Sequence, residues 1–281
     1  MNNPVTSEGT MNPGSFIPLM ITAAIKAGEA IMEIYREPVI ESELKEDRSP
    51  LTRADRQANE IILEILHSTN IPVLSEESLN SPWSERKSWT QCWIVDPLDG
   101  TKEFLKRNDE FTVNIALTIQ GEPIAGVVFA PATGELYYGS ATSGAYKAQP
   151  EESVRFSLSA ENLIKQSFPL PLSPSKNKPY TLVASRSHNN SETNEFIEAM
   201  RRDHPELTTL SRGSSLKICM VAEGTAHIYP RFGPTMEWDT AAGHAVVIAS
   251  GGRMLDLVTG ESLKYNKESL KNPWFIVKRE E

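Results

Sequence analysis

The sequence predicts an α/β protein of two lobes, an α+β half followed by an α/β half. Three observations carry this: two helical apolar periods near the N-terminus, a strand–turn–strand pattern over residues 111–146, and alternation of apolar runs with helical periods after residue 180. At 281 residues the chain is long for one small domain and short for three.

Residues 1–15 are rich in Asn, Pro, Ser, Thr and Gly, lack a hydrophobic period and read as a loose tail, with Met11 as an alternative start. From Phe16 to Tyr35 the residues Ile17, Met20, Ile21, Ala24, Ile25, Ile31, Met32 and Tyr35 recur at helical spacing, with Gly28 on the same face. After a polar stretch from Lys45 to Thr52, a second helix is expected over Ala54 to Leu66, through Ala58, Ile61, Ile62 and Ile65. Short apolar runs at Ile71 to Leu74 and Trp93 to Val95 read as strands, each followed within two residues by an acid. Val113, Ile115 and Leu117, then Ile124 to Phe129, then Leu136 to Tyr138, separated by turns with Gly121 and Gly134, read as an antiparallel meander.

The stretch from Pro150 to Lys178, rich in Pro, Ser and Lys, is the expected junction, so 16–150 is read as a metal-binding lobe and 151–281 as a substrate-binding lobe. Beyond it, Tyr180 to Ala184 and His227 to Tyr229 read as strands. Ser191 to Arg202, Leu216 to Ala222 and Thr240 to Ile248 read as helices.

A net charge of -9, from 37 acidic against 28 basic residues, disfavours a nucleic-acid or anionic-membrane binder. No apolar run approaches the roughly 18 residues of a bilayer span, and no basic segment precedes an apolar core at the N-terminus. The expectation is a cytoplasmic protein without a transmembrane segment, a monomer or weak homodimer, with peripheral attachment to the inner membrane left open. Cys92 and Cys219 lie among apolar residues and read as buried thiols.

Acids fall near the end of an apolar element or the start of a helix in four places: Asp55 in TRAD, Glu76 and Glu77 in LSEES, Asp96 and Asp99 in WIVDPLDGT, and Asp239 in MEWDTAAG. Hard cations such as Mg²⁺ need several oxygen ligands, carboxylates and backbone carbonyls among them. Pro97 restricts its own φ and Gly100 permits a sharp turn, so Asp96, the Leu98 carbonyl and Asp99 can converge. A lone D-x-x-D-G string is more often a solvated turn. The combination carries the weight.

LSEES, WIVDPLDGTKEF and EWDTAAG, in this order, resemble the signature motifs of the inositol monophosphatase superfamily, and the resemblance runs from about Phe16 to Trp274. Within it, DRSPLTRAD, GTKEFLKRNDEFTVNIAL, SRSH, GSSLK and YPRFGPTMEWDTAAGHA are closer to the bacterial 3'(2'),5'-bisphosphate nucleotidases of the CysQ type, which convert adenosine 3',5'-bisphosphate to AMP. Inositol phosphatases carry Thr-Asn where this chain has Lys102 and Glu103.

The resemblance implies a layered α-β-α-β-α sandwich and a Mg²⁺-dependent, lithium-sensitive phosphatase of sulfur metabolism using two or three ions. It implies that Glu76, Asp96 and the Leu98 carbonyl hold one Mg²⁺, and that Asp96, Asp99 and Asp239 hold a second. Asp55 and Thr101 orient the attacking water, with Glu76 beside them, and Glu77 is a neighbouring acid that either binds a third ion or orders the loop. Gly100, Thr101 and Lys102 offer backbone N–H groups to the scissile phosphate. On the substrate side it implies contacts from His188, Ser214, Lys217 and Arg231, in keeping with the cations that a retained phosphate needs. The rivals are an inositol-1-phosphate phosphatase and a non-catalytic nucleotide-binding sensor. His67, His204, His227 and His244 are unclustered and read as structural, and Trp93 and Trp238 as core anchors.

Overall fold

The structure is a computed structural model that describes residues 12–44, 50–78, 81–172, 179–184 and 190–279. Its first half contains α1 (Ile17–Tyr35), β1 (Ser42–Leu44), β2 (Pro50–Thr52), α2 (Arg53–His67), β3 (Val73–Ser75), α3 (Trp83–Arg86), β4 (Gln91–Asp99), α4 (Thr101–Leu105), β5 (Thr112–Ile119), β6 (Glu122–Ala130), β7 (Glu135–Ser140) and β8 (Gly144–Ala148). There follow α5 (Ala160–Lys165), β9 (Phe168–Pro169), β10 (Thr181–Ala184), α6 (Ser191–Asp203), β11 (Thr208–Ser211), α7 (Leu216–Glu223), β12 (Ile228–Arg231), α8 (Glu237–Ala249), β13 (Gly252–Asp256) and β14 (Phe275–Arg279).

Two sheets carry the architecture. The larger runs β3-β4-β5-β6-β7-β8-β9, parallel only between β3 and β4. The smaller runs β11-β10-β12-β14-β13, with β10 parallel to both its neighbours and β14 antiparallel to both of its own.

The period of two along each strand explains the layers. Val113, Ile115 and Leu117 of β5 and Ala125, Val127 and Phe129 of β6 share a core with α1 and α2. The alternate residues Ala116, Val128 and Ala130 share a second core with Ile218 of α7, Ala242 and Val246 of α8, and Val183, Tyr229 and Val277 of the smaller sheet. Helix α6 closes the far face of that sheet through Ile197 against Leu182 and Ile228. The order is α-β-α-β-α, with α7 and α8 between the sheets.

Close approach fixes α8 in that middle layer. A Cβ on Gly126 of β6 would stand 2.2 Å from the carbonyl oxygen of Ala242, and one on Gly139 would stand 2.9 Å from the Ala249 methyl. The helix answers with Ala241, Ala242, Gly243 and Ala245, small residues that let its backbone lie on the strands. Gly126→Val is therefore expected to lower stability by about 3 kcal/mol or more, the upper range for an overfilled core, read as the denaturant midpoint. An unchanged midpoint would mean that α8 has room to move off the sheet.

The structure adjusts several expectations. Strand β4 continues through Asp99, so its motif acids stand on the strand's end rather than after it. Arg231 is the last residue of β12, and α8 begins at Glu237, which puts Asp239 in its first turn. Within the expected junction, α5 and β9 stay with the larger sheet, so the chain crosses to the smaller one after Pro169. The stretch Pro13–Tyr35 is, at 23 residues, long and apolar enough by length and composition to cross a membrane, contrary to the expectation from sequence. Here α1 is mostly buried, against α2 and the larger sheet.

Candidate functional site

The ladder between β4 and β5 slips where the acids sit. Asp96 lies opposite Asn114 and Asp99 opposite Thr112, so three steps on β4 face two on β5. Pro97 has no N–H to give a ladder, which suits a bulge. The Leu98 N–H donates to Asp96 Oδ1 at 3.1 Å, and Gly100 takes the left-handed conformation (φ 95°) to start α4. The bulge lets Asp96 and Asp99 face Asp239 in the first turn of α8, and carboxylate oxygens of all three lie within 4.8 Å of one another.

Asp239 Oδ2 accepts the Met236 N–H at 2.9 Å, closing the start of α8. Asp99 Oδ2 accepts Ser214 Oγ at 2.5 Å, the Ser215 N–H at 2.8 Å and Ser215 Oγ at 2.9 Å. Glu76 follows β3, donates its N–H to the Val95 carbonyl at 3.1 Å, and its carboxyl lies in hydrogen-bonding contact with that of Asp96.

Such a cluster is costly alone. Burial, then the charges of Glu76, Asp99 and Asp239, push the Asp96 carboxyl well above the usual range. Burial and the Asp99 charge push Asp239 up to about 8. Two carboxyls in hydrogen-bonding contact must share a proton or a cation, so the donor set, all hard oxygen, fits a divalent ion such as Mg²⁺.

A second group borders the cluster. Asp55 is buried at the start of α2, where Oδ2 accepts the Thr52 N–H at 2.8 Å and Thr52 Oγ1 at 2.6 Å, and Oδ1 accepts Thr101 Oγ1 at 3.1 Å. Burial raises its pKa against those hydrogen bonds, and the nearby Glu77 charge adds to the rise. Ser75 Oγ donates to Asn59 Oδ1 at 2.7 Å, while Asn59 Nδ2 donates to Ser78 Oγ at 3.0 Å, which ties the Glu76–Glu77 turn to α2.

A pocket of about 200 Å³ opens beside the acids, with Asp99, Gly100, Arg212, Ser214, Lys217, Arg231 and Asp239 in its lining. Ser214 is left-handed (φ 53°) without being glycine, a conformation found where surroundings impose it. Lys217 Nζ is buried and donates to the carbonyls of Ser214 at 2.7 Å and Arg212 at 3.3 Å, and burial pulls its pKa down to about 8. Arg231 Nη2 donates to the Pro234 carbonyl at 3.1 Å.

The structure thus brings together Glu76, Asp96, Asp99 and Asp239, sets Asp55 on Thr101, and places Ser214, Lys217 and Arg231 around one pocket. Lys102 is exposed on α4, and His188 lies outside the described residues. Sequence reasoning missed Asn59, Asn114 and Ser215. Asn114 donates to Ser215 Oγ at 3.0 Å, and Ser215 Oγ reaches the Asp239 carbonyl at 2.6 Å. The available signal was a lone amide inside an apolar period, Asn59 beside Ala58 and Asn114 between Val113 and Ile115.

The inositol monophosphatase family model matches residues 14–275. A 3'(2'),5'-bisphosphate nucleotidase CysQ of Salmonella typhimurium is 46% identical over 260 residues, covering 90% of this chain and 96% of its own. The crystal structure of CysQ from Bacteroides thetaiotaomicron superposes with a TM-score of 0.85 at 47% identity, covering 94% of this chain and 97% of that one. That of the extragenic suppressor protein suhB from Bartonella henselae gives a TM-score of 0.71 at 25% identity, covering 95% and 94%.

Proposed function

The chain belongs to the inositol monophosphatase family, and from that premise we propose that it is a Mg²⁺-dependent 3'(2'),5'-bisphosphate nucleotidase that hydrolyses adenosine 3',5'-bisphosphate to AMP and phosphate. One observation carries the substrate choice: a single pocket is lined both by acids of the cluster, Asp99 and Asp239, and by the cations Arg212, Lys217 and Arg231. A molecule with one phosphate to lose and another to keep fits both kinds of lining. Inositol 1-phosphate has no second phosphate for the cations.

Glu76, Asp96 and the Leu98 carbonyl would hold one ion, and Asp96, Asp99 and Asp239 a second, with Glu77 beside any third. The ions, when bound, supply an acidified water and neutralise charge on the leaving oxygen. Thr101 Oγ1 donates to Asp55 Oδ1, so its lone pairs are turned outward to accept a proton from the attacking water. The buried Asp55 carboxylate, more basic than an exposed one, holds Thr101 in that orientation and can take its proton. The backbone N–H groups of Gly100, Thr101 and Lys102 at the start of α4 would orient the scissile phosphate, and Ser214 and Ser215 fix Asp99 by donating to a single oxygen. Water is the nucleophile and no covalent enzyme intermediate is required. We place this activity in the cytoplasm.

Phosphate release is to be compared for adenosine 3',5'-bisphosphate and inositol 1-phosphate at equal Mg²⁺. A clear preference for the nucleotide is expected, and a preference for inositol 1-phosphate would overturn the substrate assignment. Li⁺ at millimolar concentration is expected to inhibit, since a small monovalent ion can enter an oxygen-lined site made by Asp99 and Asp239. Full activity in tens of millimolar LiCl, against KCl at equal ionic strength, would argue against a second ion.

A further inference from the structure

Arg212 opens the turn that carries Ser214 and Ser215, lines the pocket, and stands between two carboxylates: Glu110, with Oε1 3.8 Å from its Nε, and Glu135, from which ion pairs run away from the site. Its Nη2 donates to Glu135 Oε2 at 2.6 Å. Lys147 Nζ then bridges Glu135 Oε1 at 3.1 Å and Glu223 Oε2 at 2.7 Å, with the Tyr137 hydroxyl near the same two oxygens. The side chains of Glu135 and Glu223 are 9% exposed and that of Lys147 12%. Burial alone would raise the Glu135 carboxyl, but Arg212 and then Lys147 more than offset this and hold it at about 2. A buried ion chain is a weak source of stability, because desolvation consumes most of its attraction. What it does fix is direction.

The turn that Arg212 opens is tight on its other side as well. The Gly213 N–H donates to Glu110 Oε2 at 2.9 Å, and a Cβ on Gly213 would stand 2.7 Å from the Glu110 carbonyl oxygen. Ser214 is left-handed, and Ser215 donates N–H and Oγ to Asp99. Lys217 is anchored on the carbonyls of Arg212 and Ser214, so displacement of Arg212 moves the pocket's buried ammonium.

We propose that Glu135, acting through Arg212, is a positioning residue that holds the turn from Arg212 to Ser215 and the Lys217 ammonium in place, and so sets the affinity of the pocket for substrate. The proposal rests on the pocket assigned above. Glu223 provides the internal comparison, since it touches Lys147 and Tyr137 without touching Arg212.

Glu135→Gln keeps the shape and removes the nearer of the two carboxylate charges that Arg212 meets, leaving Glu110 at 3.8 Å. It is expected to raise KM about fivefold, the scale of coupling through one contact, with kcat within about twofold. AMP binding measured calorimetrically in EDTA should weaken by a similar factor. Glu135→Asp should recover part of the loss. Glu223→Gln should lower Tm and leave KM within about twofold of wild type. Should Glu135→Gln not fold, Glu135→Asp, whose shorter side chain reaches less far toward Arg212, carries a smaller KM shift in the same direction. An unmoved KM in the folded variant, or an equal shift in Glu223→Gln, overturns the proposal. Kinetics are run on both adenosine 3',5'-bisphosphate and inositol 1-phosphate. The wild-type ratio reports on the substrate assignment, and the variant shift on whichever is turned over reports on the positioning role.

Discussion

Asp96→Asn is expected to abolish phosphate release while leaving the protein folded and, without metal, at least as stable as wild type. Asp96 is buried, and the carboxylates around it, Glu76, Asp99 and Asp239, all disfavour its charge. The amide has nearly the same shape and can still accept the Leu98 N–H, so the bulge keeps its hydrogen bond. Removing one of several crowded charges relieves repulsion in the ion-free protein, so Tm in EDTA should hold or rise. The same change removes the carboxylate assigned to both ions. It should cost at least several kcal/mol of transition-state stabilisation and remove the rise in Tm that Mg²⁺ gives wild type. A folded variant keeping more than roughly a tenth of the wild-type rate, a loss of only about 1.4 kcal/mol, would take Asp96 out of this role. A variant that has unfolded in EDTA would overturn the expected gain in stability, and with it the crowding of charge on which that expectation rests.

What local pattern encodes was legible in the chain. Helical and strand periods located α1, α2, β5 and β6, and the four acidic strings located the residues that meet in the site. The meander of β5, β6 and β7 was legible, but the order of the other strands was not, because pairing is decided by contacts across long separations. Asp99 meets Ser214 and Ser215 across 115 and 116 positions, and Glu135 meets Arg212 across 77. No window of residues holds both partners. The middle layer was hidden for a related reason: EWDTAAGHAVVIA is apolar or small all round, so its period points to no single face. The close approach of Gly126 and Gly139 shows the helix pressed on the larger sheet, and the core it shares with Val183, Tyr229 and Val277 shows the smaller sheet on its other side. Short elements such as β11 and β13 escaped because four or five residues carry too little period to separate a strand from a loop.

Arg231→Ala is expected to weaken catalysis on adenosine 3',5'-bisphosphate far more than on a phosphomonoester without a second phosphate. Arg231 ends β12 and pairs with Phe275 of β14, so its backbone is held on that side. Its Nη2 donates to the Pro234 carbonyl, three residues on, and the guanidinium lines the pocket that also holds Asp239. The connection between β12 and α8 therefore presents a cation and a carboxylate to one cavity. A charge-assisted hydrogen bond to phosphate is worth about 1.5 to 3 kcal/mol, which is roughly tenfold to hundredfold in kcat/KM. Lys217 remains in the variant, still anchored on the Ser214 and Arg212 carbonyls, so binding of the retained phosphate should be weakened rather than lost. The acids lose no hydrogen bond, since the described partner of Asp239 is the Met236 N–H, and a simple phosphomonoester should be hydrolysed at close to the wild-type rate. Equal losses on both substrates would mean that Arg231 supports the turn into α8 or the acid cluster, and the retained phosphate would then have to be assigned to a different part of the pocket.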